Sequence, residues 1–503
     1  MEIDELAAFC KRKGFIYHNS EIYGGFAGFF DYGPLGVELK NNIKSEWWTA
    51  HVWARPDIVG IDGAIIAHPS VWKASGHVDQ FADIMLICAS CKERFKATTL
   101  LEELAGISVE GWRAEQINEA VVARKLRCPK CKGTFELAQN FNLMFATQVG
   151  PLLGEEARAY LRPETAQLIF ANFNLVVKHA RLKLPFGIAQ IGKAFRNEIS
   201  PRGFLFRCRE FEQMELEYFV DPRKKKECPY IDQLKDYAML VYSAEAQESG
   251  REQELMTVGS ALEAGIIANP WHAYWLAFEH RWFVSLGANP QNLRVRQHLA
   301  QERSHYATDT WDLEYAFPFG WKELQGIADR GDFDLKQHSA HSGTELAIYD
   351  ESSKTKIVPH VVAEPSQGVE RAFLVFLLDA YRYDKERKNV VLALHPRLAP
   401  IKVAIFPLLS NRPELVALAR KTHAQLRPYF NSVLDLAGSI GRRYARQDES
   451  GTPWCVTIDF DSLRHNDCTL RDRDSMAQKR IEIAKLVPTI RSLIDGSTTF
   501  DKL

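Results

Sequence analysis

The stretch AFRNEISPRGFLFRCREFEQMELEY, residues 194–218, decides the fold prediction. Both halves have the composition of β-strands, and Pro201 and Gly203 between them predict a hairpin loop. Because side chains two residues apart share one face of a strand, the second half sorts into two faces. One face carries cations, then a ring, then an amide and acids: Arg207, Arg209, Phe211, Gln213, Glu215 and Glu217. The opposite face, which can be core, carries Cys208, Met214, Leu216 and Tyr218.

The order of the charges on the polar face indicates a ligand site. In the preceding strand the same period joins Gln190, Arg196 and Glu198. If the strands pair, Arg196 and Arg207 approach each other, and facing like charges destabilise a sheet unless an anion lies between them. We interpret the arginines as a polyphosphate site, Phe211 as a base-stacking ring and the acids as an ammonium site. For the hairpin alone, an exposed sheet with salt bridges is an equal alternative.

A third arginine is predicted at the start of a helix. The segment AEPSQGVERAFL, residues 363–374, joins the apolar strand IVPHVVAE to a helical pattern, which places Arg371 in the first helical turn. Free backbone N–H groups and the helix dipole favour an anion at that point. A lone arginine there is more often a surface residue, but together with the hairpin it completes a trio around one candidate polyphosphate.

The composition is that of a globular protein with several domains. The chain has 503 residues, which at roughly 150 residues per domain predicts about three. Its 63 basic and 64 acidic residues give a net charge of -1, so nucleic acid would be bound through local patches. The start has no signal-peptide pattern, and the longest apolar run, residues 372–378, is far shorter than the roughly 20 residues that cross a bilayer. We expect a soluble cytoplasmic protein with no membrane partner.

Four of the nine cysteines form two CxxC pairs. Cys88 and Cys91 lie in CASC, Cys128 and Cys131 lie in CPKC, and 36 residues separate the pairs. An odd number of cysteines in a chain without a secretion signal favours reduced thiols over disulfides. Four thiolates on two tight turns can bind zinc tetrahedrally without an open position, which predicts a structural metal site. Two chance pairs of buried thiols are the alternative.

The patterns along the chain predict two insertions in a larger domain. Residues 86–140 form an insertion that the cysteine pairs bound and that has a helical middle. Residues 141–220 contain apolar strands and one helix, and residues 221–305 form a second, helical insertion. The segment GVERAFLVFLLDAY, residues 368–381, is typical of a helix with one apolar side.

A domain boundary is predicted near residues 390–398. The polar stretch YDKERKN precedes it, and an apolar strand between prolines follows it. The residues after this point alternate strand and helix patterns, which is typical of a small α/β domain. The prediction is therefore a larger domain of residues 1–390, which the resemblance described below makes the catalytic domain, and an α/β domain of residues 398–503.

Several of these motifs carry a family resemblance. FRNE and RCREF, residues 195–198 and 207–211, resemble motif 2 of class II aminoacyl-tRNA synthetases. GVERAFL resembles motif 3, and YGPLGVELKNNIKSEWW, residues 32–48, resembles motif 1. Within that class, the strings YLRPETAQLIFANF, PFGIAQIGKAFRNEISPR, EFEQMELEYF, PFGWKELQGIADRGDFDL and PHVVAEPSQGVERAFL resemble the homodimeric type of glycyl-tRNA synthetase, over nearly the whole chain. GSIGRRYARQDESGTPWCVTIDFD resembles the anticodon-binding domain that the glycine, threonine, proline and histidine enzymes share.

The resemblance implies a fold and a reaction. The fold is α+β, with an antiparallel sheet flanked by helices, a cysteine-bounded insertion and a C-terminal α/β anticodon-binding domain. The reaction is that of a glycine–tRNA ligase: glycine and ATP give glycyl-adenylate and pyrophosphate, and the glycyl group passes to the 3′ end of tRNA(Gly). Neither step needs a covalent enzyme nucleophile, because positioning and charge neutralisation suffice. The implied ligands are ATP with Mg²⁺, glycine and tRNA(Gly), and motif 1 implies a homodimer.

The resemblance also implies roles for site residues in the ATP half. Arg196 would hold the α-phosphate and Arg207 the outer phosphates, with Arg196 and Arg371 as the catalytic residues. Phe211 and Arg371 would sandwich the adenine, and Arg371 would also reach the terminal phosphate region. Glu198 would contact the adenine amino group, and Glu323 would lie near ATP or its magnesium. The implied ATP-binding set is Arg196, Asn197, Glu198, Phe206, Arg207, Phe211, Glu323, Leu324, Gly368 and Arg371.

For glycine, the resemblance implies an acidic pocket. Glu164, Glu215 and Glu364 would surround the ammonium, and Ser366 would close the pocket, whose walls exclude larger amino acids. The implied glycine-binding set is Lys96, Glu164, Phe211, Gln213, Glu215, Glu364, Ser366 and Gly368. Lys96 departs from the family pattern, which has an arginine there, and a lysine keeps the charge but loses the bidentate fork.

The GRRYAR segment of the last predicted domain is a candidate tRNA contact. In GRRYAR, the cations Arg442, Arg443 and Arg446 and the ring of Tyr444 offer phosphate contacts and a surface that stacks an unpaired base. A charged helix start explains GRRYAR almost as well.

Two other functions remain alternatives: a threonine or proline synthetase with the same last domain, and a non-catalytic module like the accessory subunit of the mitochondrial DNA polymerase, which resembles the same family.

Overall fold

The computed structural model describes residues 2–503 except 108, 110, 152–153, 155–156, 301, 303–308 and 352. Residues 108 and 110 of the predicted helical middle and residues 303–305 at the end of the second predicted insertion therefore lie outside the described residues. Among the described helices, none combines the length and the apolar character that a membrane span requires.

The elements are numbered in chain order. The helices are α1 (Ile3–Lys13), α2 (Pro34–Trp48), α3 (Pro69–Ala74), α4 (His77–Gln80), α5 (Ala97–Ala105), α6 (Ala114–Ala123), α7 (Ala166–Ala171), α8 (Phe173–Ala180), α9 (Ala244–Glu248), α10 (Val258–Glu263), α11 (Pro270–Ser285), α12 (Phe333–Ser342), α13 (Val369–Ala380), α14 (Pro413–Leu426), α15 (Ile440–Ser450), α16 (Phe460–His465) and α17 (Leu486–Asp495). The strands are β1 (Ile16–His18), β2 (Phe30–Tyr32), β3 (Ile58–Ile61), β4 (Ile66–Ala67), β5 (Ala82–Ile87), β6 (Arg94–Lys96), β7 (Gln139–Asn142), β8 (Phe145–Gln148), β9 (Arg158–Leu161), β10 (Phe186–Phe195), β11 (Glu210–Val220), β12 (Ala238–Tyr242), β13 (Glu254–Thr257), β14 (Leu293–Gln297), β15 (Asp309–Phe317), β16 (Gly320–Asp329), β17 (Ile348–Asp350), β18 (Thr355–Ile357), β19 (His360–Gly368), β20 (Tyr381–Asp384), β21 (Asn389–Leu392), β22 (Val403–Pro407), β23 (Ser432–Leu434), β24 (Trp454–Ile458), β25 (Asp467–Asp472) and β26 (Gln478–Glu482).

A nine-stranded sheet organises the first four fifths of the chain. Its strand order is β13-β12-β14-β15-β16-β19-β11-β10-β3. Neighbours pair antiparallel except β12 with β14 and β10 with β3, which are parallel. The predicted α+β class with a largely antiparallel sheet is confirmed.

The hairpin of β10 and β11 lies toward one edge of this sheet, between β19 and the edge strand β3. β10 and β11 pair antiparallel from Phe186 opposite Phe219 to Phe195 opposite Glu210. The apolar face of β11, which includes Met214, Leu216 and Tyr218, packs into the main core with residues of α11 and α13. The strand therefore keeps its other face for polar side chains, as its alternation predicts.

Two helices pack on the apolar side of the sheet, opposite the polar face of β11. In α11, Asn269 caps the first turn by accepting a hydrogen bond from the Trp271 amide, and Pro270 occupies the first helical position. α13 starts directly after Gly368 at the end of β19, so Arg371 lies in its first turn, as the sequence predicts. Its apolar residues, including Phe373 and Phe376, are buried in the main core.

The two predicted insertions differ in part from the expectation. The cysteine-bounded unit has the predicted helices α5 and α6, but a three-stranded sheet, β6-β5-β7, accompanies them. The region after residue 221 has the helices α9, α10 and α11, but β12, β13 and β14 join the main sheet, which the sequence analysis missed. Residues 141–220 contain α7 and α8 where one helix was predicted. Short apolar runs such as AMLVY fit a strand and a helix equally, so periodicity alone could not assign them.

The C-terminal residues form a second sheet with its own core. Its strand order is β23-β22-β24-β25-β26, with the first three strands parallel and the last two added antiparallel. The main core ends with Leu398 and the second core begins with Val403. The predicted α/β pattern of this region is present.

Candidate active site

A cavity of about 390 Å³ opens over the polar face of β11, between the hairpin loop, β15, β16 and β19. Most of the predicted site residues line it: Glu164, Arg196, Glu198, Phe206, Arg207, Phe211, Gln213, Glu215, Glu323, Leu324, Glu364, Ser366, Gly368 and Arg371. These residues come from five separate segments of the chain. The sheet therefore brings together side chains that are up to 207 positions apart in sequence, from Glu164 to Arg371.

Cations and rings occupy one end of the cavity. The Arg371 guanidinium lies 4.7 Å from the ring centre of Phe206, and its Nη1 lies 3.1 Å from Glu323 Oε1. The Arg196 guanidinium lies 5.5 Å from the ring centre of Phe211, and its Nε donates to the Pro163 carbonyl at 3.0 Å. The ring and the guanidinium that the resemblance assigned to adenine, Phe211 and Arg371, both face the cavity.

The pairing at the open end of the hairpin differs from the expectation. The backbone partner of Arg196 is Arg209, whose carbonyl accepts the Arg196 N–H at 2.9 Å, and Arg207 bridges to Arg202. Arg207 and Arg196 still both line the cavity, with Arg207 Nη1 3.3 Å from Glu198 Oε2. Arg196 and Arg207 are therefore not cross-strand partners, since a helical turn at Phe204–Phe206 precedes Arg207, but both arginines face the same cavity as expected.

Arg209 does not lie on the polar face of β11, where the two-residue period predicted it. Its Nη2 and Nε donate to the Glu198 carbonyl at 2.8 and 3.0 Å, and its Nη1 donates to the Ala27 carbonyl at 3.0 Å. β11 begins at Glu210, so the alternation that places Phe211, Gln213 and Glu215 on one face does not extend to Arg209. Arg209 thus supports the loop and does not line the cavity.

Carboxylates occupy the other end of the cavity. Glu215 and Glu364 are 1% and 7% exposed. Thr165 donates a hydrogen bond from its hydroxyl to Glu215, and Arg330 Nη1 donates to Glu364 Oε1 at 2.6 Å. This end presents three carboxyl groups, Glu164, Glu215 and Glu364, around one buried arginine, Arg330, and such an excess of acids suits a small cationic ligand.

Burial and neighbouring charges act differently on the three acids. Burial and the charge of Glu164 raise the pKa of Glu215. Burial also raises the pKa of Glu364 to about 8, with Glu215 and Glu164 adding to the effect and Arg330 opposing it. Burial disfavours the charged form of Glu164 as well, but His77, Arg330 and Gln167 outweigh it and lower the pKa of Glu164. Of the three acids, Glu164 therefore has the strongest tendency to stay ionised.

A buried network that the sequence analysis did not assign supports the acids. Arg330 is 3% exposed and donates to both oxygens of Asp334 at 2.7 and 3.0 Å. Gln167 Nε2 donates to Glu164 and to Asp334, both at 2.9 Å. Arg330 lies in the string GIADRGDFDL at the end of a strand, and its Asp four positions later was the signal that could have marked it as a buried ion pair.

The middle of the cavity also holds residues that were not predicted. His298 Nε2 lies 2.7 Å from Asp312 Oδ2, beside Thr310, and Glu370 lines the wall next to Arg371. Burial raises the pKa of Asp312 to about 6, with Glu323 adding to the effect and His298 opposing it. Asp312 and Thr310 share one face of β15, a period-2 signal that could have found them.

Two predicted site residues do not line this cavity. Lys96 Nζ lies 2.7 Å from Asp83 Oδ1, with 18% of its side chain exposed. Asn197 donates its backbone N–H to the Leu143 carbonyl at 2.8 Å. The structure therefore pairs Lys96 with an acid on the neighbouring strand of its own small sheet and leaves both residues at the margin of the site.

The four predicted metal ligands converge in the cysteine-bounded unit. Each can offer its sulfur within 4.8 Å of the others, with Cys88 Sγ 3.4 Å from Cys131 Sγ and Cys91 Sγ 3.7 Å from Cys128 Sγ. The backbone N–H of Cys91 lowers the pKa of the Cys88 thiol to about 6. Four convergent sulfurs with a stabilised thiolate fit a tetrahedral zinc ion.

The GRRYAR segment is less open than the sequence suggested. Arg443 is 1% exposed and donates to the Pro407 carbonyl at 2.5 Å. The Tyr444 ring packs against Phe406 at 5.3 Å, and its hydroxyl lies 2.5 Å from the Thr457 hydroxyl. The expectation that Arg443 offers a free cation was wrong, because α15 turns its side chain toward the sheet, whereas Tyr444 is half-buried and Arg442 is exposed.

Comparison with known proteins gives two family matches. Residues 153–381 match the family described as tRNA synthetase class II core domain (G, H, P, S and T), and residues 402–493 match the anticodon binding domain. Among solved structures, prolyl-tRNA synthetase from Cryptosporidium parvum, complexed with halofuginone and AMPPNP, is similar with a TM-score of 0.57 over 97% of this chain and 75% of that chain. At 14% identity this likeness shows the fold alone.

Curated relatives are similar over almost the full length. The glycine–tRNA ligase of Caldanaerobacter subterraneus subsp. tengcongensis is 46% identical over 489 residues, which cover 96% of each chain. That of Thermobifida fusca is 46% identical over 506 residues, and that of Acetivibrio thermocellus 44% over 502, with 98% of each chain covered in both cases.

Proposed function

The chain belongs to the glycine–tRNA ligases of the class II aminoacyl-tRNA synthetases, and from that premise we propose that the cavity over β11 is its active site. The enzyme activates glycine with ATP to glycyl-adenylate, releases pyrophosphate and transfers the glycyl group to the 3′ end of tRNA(Gly). The proposal rests on one observation above all: arginines, rings and buried carboxylates line a single cavity, in which Phe211 and the buried Glu215 stand four residues apart on β11. That arrangement matches ATP at one end and a small ammonium-bearing acid at the other.

The cationic end binds ATP. Arg196 holds the α-phosphate, Arg207 the outer phosphates, and Phe211 and Arg371 enclose the adenine. The hydrogen bond of Arg371 to the Glu323 carbonyl at 3.0 Å aims its guanidinium across the cavity. Magnesium neutralises phosphate charge when ATP binds, and Glu323, whose carboxylate faces the cavity, is the residue that would hold it. Leu324 and Gly368 form the walls, and Glu198 contacts the adenine amino group.

The acidic end binds glycine. Glu215 and Glu364 accept the ammonium, while Glu164, which stays ionised, holds the negative potential of the pocket. Ser366 and Gln213 close the base of the pocket, where Gln213 Nε2 donates to Ser366 Oγ at 3.3 Å. A pocket closed in this way leaves no room for a side chain, so larger amino acids are excluded by steric clash. The chemistry then needs no enzyme nucleophile: alignment of the glycine carboxylate with the α-phosphorus and neutralisation by Arg196 suffice.

The cysteine-bounded unit binds a structural zinc ion through Cys88, Cys91, Cys128 and Cys131. Their four sulfurs close on one point and leave no position for a substrate, so the ion would stabilise the unit and take no part in the reaction. Lys96 pairs with Asp83 in this unit and does not line the cavity, so we assign it the orientation of its own strand in place of a glycine contact.

The remaining proposals concern partners and organisation. The catalytic domain is residues 1–390 and the anticodon-binding domain residues 398–503, which receives tRNA(Gly), and the enzyme acts in the cytoplasm. A homodimer is supported by the apolar residues Ile22, Tyr23 and Phe26 near α2, which are 88%, 87% and 72% exposed. Sedimentation of the wild type against Tyr23→Asp tests the dimer: the variant should shift toward monomer.

Amino-acid-dependent ATP–pyrophosphate exchange tests the site. Purified protein is assayed in parallel with glycine, alanine, serine, threonine and proline. Exchange with glycine alone is the expected result and supports both halves of the site. Exchange with another amino acid would contradict the carboxylate pocket, and no exchange in folded protein would favour a non-catalytic accessory module.

A further inference from the structure

A fourth carboxyl lies beneath the proposed glycine pocket and is not explained by the contacts above. Glu217 is two residues beyond Glu215 on β11 and is 0% exposed. In the described part of the chain, neither of its carboxyl oxygens has a hydrogen-bond partner. Burial of an ionised carboxylate without a partner is strongly unfavourable, so the group must either stay protonated or gain a partner.

The neighbours of Glu217 do not supply that partner. One carboxyl oxygen each of Glu215, Glu217 and Glu364 can lie within 4.8 Å of the other two. On the other adjoining strand, β10 places Ile188 opposite Glu217 and supplies no charge. The facing cation is Arg330, which donates to Asp334 and Glu364.

Charge balance then decides the protonation state. Glu215, Glu217, Glu364 and Asp334 face one arginine, and like charges this close cannot all ionise in a buried site. Burial, with Glu364 and Glu215 adding to the effect, raises the pKa of Glu217 well above its usual range. The proton of such a cluster belongs to the group as a whole, and Glu217 is the member with no competing donor.

Glycine changes this balance when it binds, and the inference rests on the proposed glycine pocket. We infer that Glu217 carries a proton for the cluster of Glu215, Glu217 and Glu364 in the glycine-free enzyme, and that the arriving ammonium displaces a proton from this cluster into solvent. A cation beside a carboxylic acid favours its ionised form. The ammonium of glycine therefore stabilises the carboxylate that forms when the acid loses its proton. Glu217 does not line the cavity and acts through Glu215 and Glu364, so it is a positioning residue.

Calorimetry of glycine binding counts the displaced protons. Glycine alone, without ATP, is titrated into the enzyme at pH 7 in buffers of different ionisation enthalpy. The slope of the observed heat against buffer enthalpy gives the number of protons released. For the wild type we expect between one half and one proton released per glycine bound, and for Glu217→Gln clearly less than half of the wild-type value.

Glu217→Gln is the matched variant, since an amide has nearly the shape of the protonated acid and should fold. Glu345→Gln, at an exposed ion pair, is the control and should release as many protons as the wild type. Glycine binding with no buffer dependence in the wild type would overturn the inference, and this test needs no variant. Equal release from Glu217→Gln and the wild type would overturn the assignment to Glu217. No glycine binding at all would remove the proposed pocket, and this inference with it.

Discussion

Replacement of Arg371 is the sharpest test of the ATP half of the site. Its guanidinium is placed by four contacts: Nη1 to the Glu323 carbonyl at 3.0 Å and to Glu323 Oε1 at 3.1 Å, Nε to the Phe206 carbonyl at 3.3 Å, and the ring of Phe206 at 4.7 Å. Arg371→Ala removes the charge, the fork and the stacking surface together. Arg371→Lys keeps the charge but cannot form a planar stack or a fork.

The magnitude follows from the interactions that ATP would lose. A charge-assisted hydrogen bond to phosphate contributes about 1.5–3 kcal/mol, and a cation–π contact with the adenine about 0.5–2 kcal/mol. Their sum of about 2–5 kcal/mol corresponds to a loss of roughly 30-fold to several thousand-fold in kcat/KM for ATP. Arg371→Lys should lie between wild type and Arg371→Ala, because only the point charge survives.

ATP–pyrophosphate exchange at varied ATP and saturating glycine measures this loss. The KM for glycine should change little, because Arg371 lies at the opposite end of the cavity from Glu215 and Glu364. Arg464→Ala, a substitution of an exposed arginine in α16, is the matched control and should leave exchange unchanged. Full exchange activity in Arg371→Ala, with normal folding, would refute the assignment of this end to ATP.

Three further predictions follow from buried charges and the metal site. Because burial raises the pKa of Glu364 to about 8 and the cluster of Glu215, Glu217 and Glu364 must lose its proton to bind the ammonium, the KM for glycine should fall as pH rises from about 6 to 8 and then level off; a flat profile in exchange assays contradicts this. Lys40→Met leaves Glu212 and Glu370, which lie 3.0 and 3.1 Å from Lys40 Nζ, without their buried partner and should cost about 3–5 kcal/mol in chemical unfolding, whereas Lys44→Met, at a partly exposed pair, should cost no more than about 1 kcal/mol. Removal of metal with a chelator, or Cys91→Ser, should release about one zinc ion per chain and lower the thermal midpoint, as measured by metal analysis and a thermal melt; protein that never contains zinc would contradict the site.

The sequence predicts the part of the site that lies on regular elements. In β11 the two-residue period correctly places Phe211, Gln213 and Glu215 on the cavity face, because the strand is unbroken from Glu210 onward. The position of Arg371 follows from a strand-to-helix junction that is plain in the sequence. Local periodicity therefore suffices wherever one regular element carries the residues.

The remainder could not be predicted because it depends on irregular or distant segments. Arg209 precedes the strand, so its side chain follows the loop geometry and not the period. Arg330 enters the acidic end from a segment more than 100 positions after Glu215, and only tertiary structure shows that it faces Glu364. Arg443 and Tyr444 lie on a helix whose inward side could not be distinguished from its outward side by composition alone.

The regular geometry of β11 also fixes the distance between the ends of the proposed substrate site. Phe211 and Glu215 stand four residues apart on one face, which at about 3.4 Å per residue fixes a span of about 13–14 Å between their positions on the strand. A point substitution changes the chemistry at one position and leaves this spacing unchanged. One residue inserted or deleted between Phe211 and Glu215 would instead turn every later side chain of the strand to the opposite face. This strand should therefore tolerate substitutions far better than changes in length, even where both alter the same number of contacts.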